Sequence, residues 1–168
     1  MRNKILIAAL VVAVIASVAY AALSQLLTIT GTGTTNGSWD VAITGITQTS
    51  ASGATDATAP TYTDTSATFD VNLAYPGATA TYEIAVANTG TIDAVLDTIT
   101  GVTEANAAAP AYITYSLSGV TEGVTTLPAT TGTNTATVTV TWDAGSGPVN
   151  PGETKTATIS LNYIQDTP

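Results

Sequence analysis

The chain has 168 residues, of which 45% are hydrophobic and only 9% charged, enough for one domain with a hydrophobic core. It contains no cysteine and no histidine, which excludes disulfides, thiolate nucleophiles, Cys or His metal sites and the commonest general base. With 3 basic residues against 12 acidic ones, the chain cannot form the basic surface that binds nucleic acid. Threonine supplies about a fifth of the residues, which favours strands over helices.

The first residues have the pattern of a secretory signal. Two basic residues precede an apolar run from Ile5 to Ala19, and Ala19-Tyr20-Ala21 fits the small-x-small cleavage rule. We therefore predict a signal peptide over residues 1–21, with an apolar helix and cleavage after Ala21. The mature chain then keeps one cation, Lys155, against 12 acids, a net charge of −11. Such a chain contacts the membrane only during export.

Two alternatives keep the apolar segment in the mature protein. Ile5 to Leu23 is long enough to serve as a membrane anchor. A type IV pilin leader would lose only a short basic head and retain the apolar helix for filament packing. Against the pilin leader, no glycine follows Arg2-Asn3-Lys4.

From Leu26 onward, apolar residues alternate with threonine or other polar residues, the period expected of half-buried strands. The predicted strands are Leu26–Thr32, Ser38–Thr47, Ala67–Leu73, Thr79–Ala87, Ala94–Thr100, Tyr112–Ser118, Thr135–Trp142 and Thr154–Ile164. About eight strands at this spacing predict an all-β fold, a jelly-roll or immunoglobulin-like β-sandwich, preceded by the N-terminal apolar signal helix.

Two stretches lack this alternation. Residues 49–64 are rich in Ala, Thr, Ser and Gly, and we expect a surface loop there. Residues 104–111 favour one helical turn that ends at Pro110. The motif Pro-Gly-x-Thr-x-Thr-x-x-Ile occurs at Pro76 and again at Pro151, and at each place it predicts a turn that leads into a strand.

The sequence offers no catalytic grouping. Its many hydroxyl side chains have no histidine to activate them, and Lys155 would have to be desolvated to act as a base. We expect no enzymatic activity, no catalytic residues, no cofactor and no metal site. A structural calcium ion is the alternative, with oxygen ligands from carboxylates in the turns, although no calcium-loop motif is present. The candidate ligands would be Asp93, Asp97, Asp143 and Glu153.

Three residues have two interpretations each. Asn36-Gly37-Ser38 matches a glycan acceptor, but Asn-Gly is also the strongest signal for a tight hairpin turn, which we favour. Trp39 and Trp142 could stack on a sugar, but their positions in predicted strands favour core packing, with Trp142 on the face shared by Val138 and Val140.

Several segments in order resemble a known family. They are the Thr- and Gly-rich Leu26–Gly33, then Asn36–Val41, the turn Leu73–Gly77 and the strand and Asn-Thr-Gly turn of Tyr82–Ala94. Together they resemble the TasA and camelysin group of exported biofilm-fibre proteins and the related archaeal bundling pilins. The resemblance implies a jelly-roll subunit that polymerises by donor-strand complementation, in which the N-terminal strand of one copy fills a groove in the next.

The N-terminal residues permit such donation independently of the resemblance. Leu23, Leu27 and Ile29 share one face of an extended segment, and Leu26 lies on the other. Glycines at positions 31 and 33 provide a flexible joint. We therefore divide the mature chain into a donor-strand candidate, 22–35, and a β-sandwich domain, 36–168. The alternative is that residues 22–33 form the first strand of their own sandwich.

The function that these observations predict is that of a secreted structural subunit of an extracellular filament, pilus or biofilm matrix fibre at the cell surface. Its partner would be further copies of itself, and other cell-surface or matrix components are further candidates. The alternatives are a monomeric surface binding or adhesion module and a pilin-like subunit that retains its apolar helix.

Overall fold

The computed structural model describes residues 28–146 and 152–166. Within them the fold is all-β, with antiparallel strands and one short helix. The elements are β1 (Val41–Ser52), β2 (Ala54–Thr63), β3 (Ser66–Leu73), β4 (Thr79–Asn88), β5 (Ala94–Thr100), α1 (Val102–Ala107), β6 (Ile113–Ser118), β7 (Thr126–Leu127), β8 (Gly132–Trp142) and β9 (Ser160–Gln165).

The chain divides into two compact units, Met1–Thr35 and Asn36–Pro168. In the first unit, residues 28–35 are exposed and carry neither helix nor strand. The predicted signal segment 1–21 lies outside the described residues. So do five residues named above, the cleavage residues Ala19 and Ala21 and the donor residues Leu23, Leu26 and Leu27.

The second unit contains a four-stranded antiparallel sheet in the order β1-β4-β8-β6. Its two central strands alternate buried and outward-facing residues, as the period-2 pattern predicts. On β4 the alternate residues Tyr82, Ile84 and Val86 are buried. β8 contributes Ala136, Val138 and Val140 to the same core.

A second layer covers this core and gives the unit its β-sandwich-like character. It consists of two separate sheets, the hairpin β2-β3 and the three strands β7-β5-β9. Alternate residues of β3, among them Phe69 and Val71, pack on the core of the four-stranded sheet. Ile159 and Leu161, which lie just before and in β9, pack against the same core. The second layer is therefore split, whereas the first is continuous.

A buried asparagine explains why the Asn-Thr-Gly turn after β4 is fixed. Asn88 is 1% exposed, and its side-chain amide donates to the carbonyl oxygens of Ile92 (2.8 Å) and Leu127 (2.9 Å). Its Oδ1 accepts the N–H of Gly90 at 3.0 Å. These bonds satisfy the buried amide and join the turn to β7.

Most predicted strands are confirmed with shifted ends, and Ala94–Thr100 is confirmed without change. The loop prediction for residues 49–64 is wrong, because β1 continues to Ser52 and β2 occupies Ala54–Thr63. β2 is an exposed strand at the edge of a hairpin and buries too little to show alternation in its sequence. The helical turn expected at 104–111 is found as α1, two residues earlier.

Two further predictions about strands are wrong. Among the described residues 28–40 there is no strand, so Thr28–Thr32 does not extend a sandwich strand and Asn36-Gly37 makes no hairpin. The last predicted strand, Thr154–Ile164, enters a ladder only at Ser160. The reason for this late start lies in the groove described next.

Candidate functional site

The split in the second layer leaves a groove between two strand edges that face each other. Of the strands that the structure describes, β3 pairs with β2 alone. Residues 154–159, which we call the edge segment, enter no ladder although they precede β9 directly. Between β3 and the edge segment lies a cavity of about 990 Å³, which we call the central groove.

The central groove has an apolar interior. Its floor belongs to the four-stranded sheet and its walls to the two edges. The floor residues are Ile84, Val86, Tyr115, Leu117, Ala136 and Val138, and the apolar wall residues are Ala67, Phe69, Ala157, Ile159, Leu161 and Tyr163. Apolar side chains above open backbone edges are what an added strand needs, since the backbone supplies affinity and the side chains fix register.

The edge segment has the side-chain alternation of a strand. Lys155, Ala157 and Ile159 are half-buried, and the residues between them are exposed, so the alternation seen in β9 continues through the segment. The sequence therefore predicted an extended strand correctly in terms of side-chain direction. It could not predict the ladder, because a ladder also needs a neighbouring strand.

Hydrogen bonds at one end and a close backbone approach at the other hold the edge segment in place. The Tyr115 hydroxyl donates to the carbonyl oxygen of Lys155 at 2.6 Å. The Lys155 ammonium donates to the carbonyl oxygens of Ile113 (2.7 Å) and Pro110 (3.0 Å). At the other end, the Thr158 carbonyl lies so close to Gly101 that a Cβ built there would be 1.8 Å from its oxygen. The segment is thus fixed through side chains and one tight backbone approach.

Burial perturbs the two ionisable groups at this edge. It raises the pKa of the Tyr115 phenol, with a smaller contribution from the charge of Asp70, and it lowers the pKa of the Lys155 ammonium. The carbonyl oxygens around the ammonium favour its charged form. The ammonium therefore acts as a hydrogen-bond donor that ties the edge segment to the backbone around α1 and β6.

The groove continues past Lys155 into a second cavity of about 500 Å³. Here Tyr112 stacks on Trp142 with ring centroids 5.7 Å apart, and the Tyr112 hydroxyl donates to the Glu153 carboxylate. That hydrogen bond is the main reason that the pKa of Tyr112 rises to about 12. Phe69 and Asp70 line both cavities, so the two form one continuous channel along β3.

The two edges run in opposite directions. The first cavity is lined by residues 64–70 and 154–161, and the second by residues 69–74 and 152–155. From the first cavity to the second, residue numbers therefore rise on β3 and fall on the edge segment. A strand inserted between them must be parallel to one edge and antiparallel to the other.

The predicted site residues have different outcomes. Ile29, the donor residue that the structure describes, is 90% exposed. Asn36 is exposed and outside any strand, so the glycan acceptor stays a prediction. The core prediction for Trp39 is wrong, since it is 45% exposed and lies at the rim of the central groove. Trp142 does lie on the face of Val138 and Val140, half-buried against Tyr112.

The carboxylates considered for calcium serve separate local contacts. Asp93 accepts the N–H of Ala129 at 2.6 Å, and Asp143 accepts that of Gly145 at 2.9 Å. Across residues 28–146 and 152–166 there is no group of three or more carboxylates placed to hold a metal ion. In the same part of the chain, no helix is both long enough and apolar enough to cross a membrane.

Sequence reasoning did not single out Tyr115, Phe69 or Lys155 as groove residues. The sequence did contain a signal for Lys155, because it is the only basic residue after position 4 and it lies inside an alternating strand pattern. Tyr115 and Phe69 look like ordinary core residues, and only the gap between the sheets distinguishes them. In comparisons with protein-family models, curated proteins and solved structures, nothing matches this chain.

Proposed function

We propose that this protein is the repeating subunit of an exported extracellular filament, in which the N-terminal segment of one copy adds a strand to the central groove of the next. The observation that carries the proposal is a pair of edges, β3 and the edge segment, which lie on either side of one apolar channel and have no strand between them in the described part of the chain. Unpaired edges are normally covered or blocked, so a pair that faces the same groove favours strand addition.

The dimensions of the groove suit the candidate donor. The apolar wall of β3 runs from Ala67 to Leu73, which corresponds to an added strand of about seven residues, or roughly 20 Å at 3.3 Å per residue. The donor candidate 22–35 is long enough to provide that strand and a joint. Its apolar residues on alternate positions match the alternation of the groove walls.

The described part of the donor supports its availability. Residues 28–35 carry neither helix nor strand, and Ile29 exposes 90% of its surface. An exposed isoleucine in a segment with strand-forming threonines gains free energy when it is buried, about 1.5–3 kcal/mol for complete burial. A groove with apolar walls provides that burial.

Donation between copies leads to a filament rather than a closed dimer. The donor segment and the groove are different surfaces, so each contact is heterologous and leaves one donor and one groove unused. The net charge of −11 predicted for the mature chain acts against random association, because the copies repel one another at low salt. Assembly would therefore depend on the specific strand.

Disulfide trapping tests the proposal cleanly, because the natural chain has no cysteine. Ile29→Cys would be placed in one preparation, and Ala157→Cys or Ala67→Cys, one on each groove wall, in another. The two exported proteins are mixed in denaturant, refolded together and oxidised. We expect crosslinks between the two preparations, and thin unbranched fibres of the natural protein in negative-stain electron microscopy.

Ser116→Cys is the matched control, because Ser116 is exposed on β6 between the groove residues Tyr115 and Leu117. It should give only background crosslinking with Ile29→Cys. Crosslinks within a single chain that carries both Ile29→Cys and Ala157→Cys, without any between chains, would show that the segment completes its own sandwich. Equal crosslinking at all three partner positions would refute donation altogether.

A further inference from the structure

The four-stranded sheet has its own edge at β6, and side chains cover it. Among the described strands, β6 pairs with β8 alone. The helix α1 lies beside its other edge, where the Asn106 side chain makes two hydrogen bonds to the backbone of Tyr115. Nδ2 donates to the Tyr115 carbonyl at 2.8 Å, and Oδ1 accepts the Tyr115 N–H at 2.8 Å. This two-point contact occupies the groups that a neighbouring strand would use.

The next outward position of the same edge is covered as well. Residues two apart in a strand direct their backbone groups to the same side, so Ile113 faces outward as Tyr115 does. The Ile113 carbonyl accepts a hydrogen bond from Lys155 at 2.7 Å, and the Ile113 N–H donates to the Pro110 carbonyl at 3.4 Å. We call Asn106 and Lys155, with these bonds, the β6 clamp.

The sequence of β6 gives no other protection against pairing. It reads Ile-Thr-Tyr-Ser-Leu-Ser, and no charged residue occurs between Glu104 and Glu122. Edge strands usually avoid association through a charge, a proline or a bulge, and β6 has none of these in its six paired residues. A strand-forming, uncharged edge is a template for another strand as soon as its backbone is accessible.

We propose that the β6 edge is a second self-association surface, whose partner is the β6 edge of another copy of this chain, and that Asn106 holds it closed. Two such edges would pair antiparallel in an isologous contact, distinct from the heterologous contact at the central groove. The clamp restricts the subunit to one mode of assembly. This inference does not rest on strand donation, because the β6 edge belongs to the four-stranded sheet and is not one of the two edges that face the central groove, although Lys155 of the edge segment contributes to the clamp.

The test uses the full exported chain in an Ile29→Asp background, which places a charge on the apolar face of the donor candidate and so opposes donation to the groove. Asn106→Ala is added, and self-association is followed by sedimentation velocity over a wide range of concentrations. We expect association at a concentration at least roughly tenfold lower than in the background protein, because Asn106→Ala removes two hydrogen bonds and each is worth up to about that factor. Asn162→Ala is the matched control, because Asn162 is exposed on β9 and its amide contact to Asp97 is long, at 3.5 Å.

A second substitution separates pairing at β6 from aggregation of a poorly folded variant. Ser116→Lys places a charge on the β6 edge, and two like charges oppose each other when two copies pair. In the Asn106→Ala protein it should restore the background behaviour. Association that persists with Ser116→Lys, or an Asn106→Ala protein that associates no more than Asn162→Ala, would overturn the inference. Fibres of the Ile29→Asp protein would count against donation through Ile29, whereas the effect of Asn106→Ala is measured relative to that background and is judged separately.

Discussion

The continuous four-stranded sheet and the split second layer differ in burial although their sequences alternate in the same way. In β4, Tyr82 and Val86 are buried, whereas Ala157 and Ile159, at equivalent alternate positions of the edge segment, are half-buried. The difference follows from neighbouring strands, because β4 has a strand on each side, whereas the edge segment pairs with no strand among residues 28–146 and 152–166. Alternation therefore sets which way a side chain points, and the neighbouring strands set how deeply it is buried.

We expect the largest change in stability from substituting one of two aromatic residues that stack on each other across the layers. The rings of Tyr82 and Phe69 lie 4.2 Å apart, but Tyr82 is fully buried and Phe69 lines the groove. We expect Tyr82→Ala to lower the free energy of unfolding by about 3–5 kcal/mol, since it leaves a cavity in the core. Phe69→Ala should cost about 1–2 kcal/mol, because Phe69 is already half-exposed. Urea unfolding of the unassembled protein measures both.

Assembly should reduce the difference between the two substitutions in lost unfolding free energy. When a donor strand covers the groove, Phe69 becomes buried, and Phe69→Ala should then lower the stability of fibres more than that of the unassembled subunit. Tyr82→Ala should have a similar effect in both states. Equal costs of the two substitutions in the unassembled protein would mean that the second layer is as well packed as the first.

The next largest change in stability is expected at Gly101, whose backbone lies against the Thr158 carbonyl of the edge segment. Gly101 has φ of +98°, and a Cβ there would lie 1.8 Å from the Thr158 carbonyl oxygen. Gly123 also has a positive φ, +68°, but open space around it. Both Gly→Ala substitutions carry the backbone cost of about 1–2 kcal/mol. We expect Gly101→Ala to cost at least about 2 kcal/mol more than Gly123→Ala, because the edge segment must move.

Chemical denaturation gives the stability of both glycine variants, and hydrogen exchange at residues 154–159 reports whether the edge segment has moved. Gly101→Ala should speed exchange there, while Gly123→Ala leaves it unchanged. Similar stability and exchange in the two variants would show that the segment is not fixed at Gly101, and that its contacts through Lys155 and Tyr115 suffice.

Much of the first sheet was predictable from the sequence, because each of its strands carries its own alternation. Thr79–Ala87 was predicted within one residue of β4. β2 was missed since an exposed hairpin strand leaves no apolar period to detect. Trp39 was misplaced because β1 begins two residues later, at Val41, so the tryptophan has no strand to fix its direction. The groove itself depends on which strands do not pair, and no local pattern encodes that.

The smallest expected effect appears only at alkaline pH. Burial raises the pKa of Tyr82, Tyr115 and Tyr163 above the 10.0 of an exposed phenol. A raised pKa in the folded state gives stability that is complete below pH 10 and is lost as the pH rises, because the unfolded chain then binds fewer protons. Lys155 acts in the opposite direction, since its lowered pKa makes stability rise with pH up to 10.5. Tyr112, whose pKa is raised by its hydrogen bond to Glu153, acts in the same direction as these three phenols. Together the phenols outweigh the one amine in the pH dependence of stability.

Urea unfolding between pH 8 and 12 should therefore show stability that falls above pH 10. Each protected phenol contributes a slope of up to about 1.4 kcal/mol per pH unit. Tyr115→Phe should reduce the slope by one such contribution, at the cost of about 1 kcal/mol at neutral pH, where the Lys155 carbonyl loses its donor. Tyr115 joins the first sheet to the edge segment, so an unchanged slope in Tyr115→Phe would mean that this phenol is already accessible to water through the open groove.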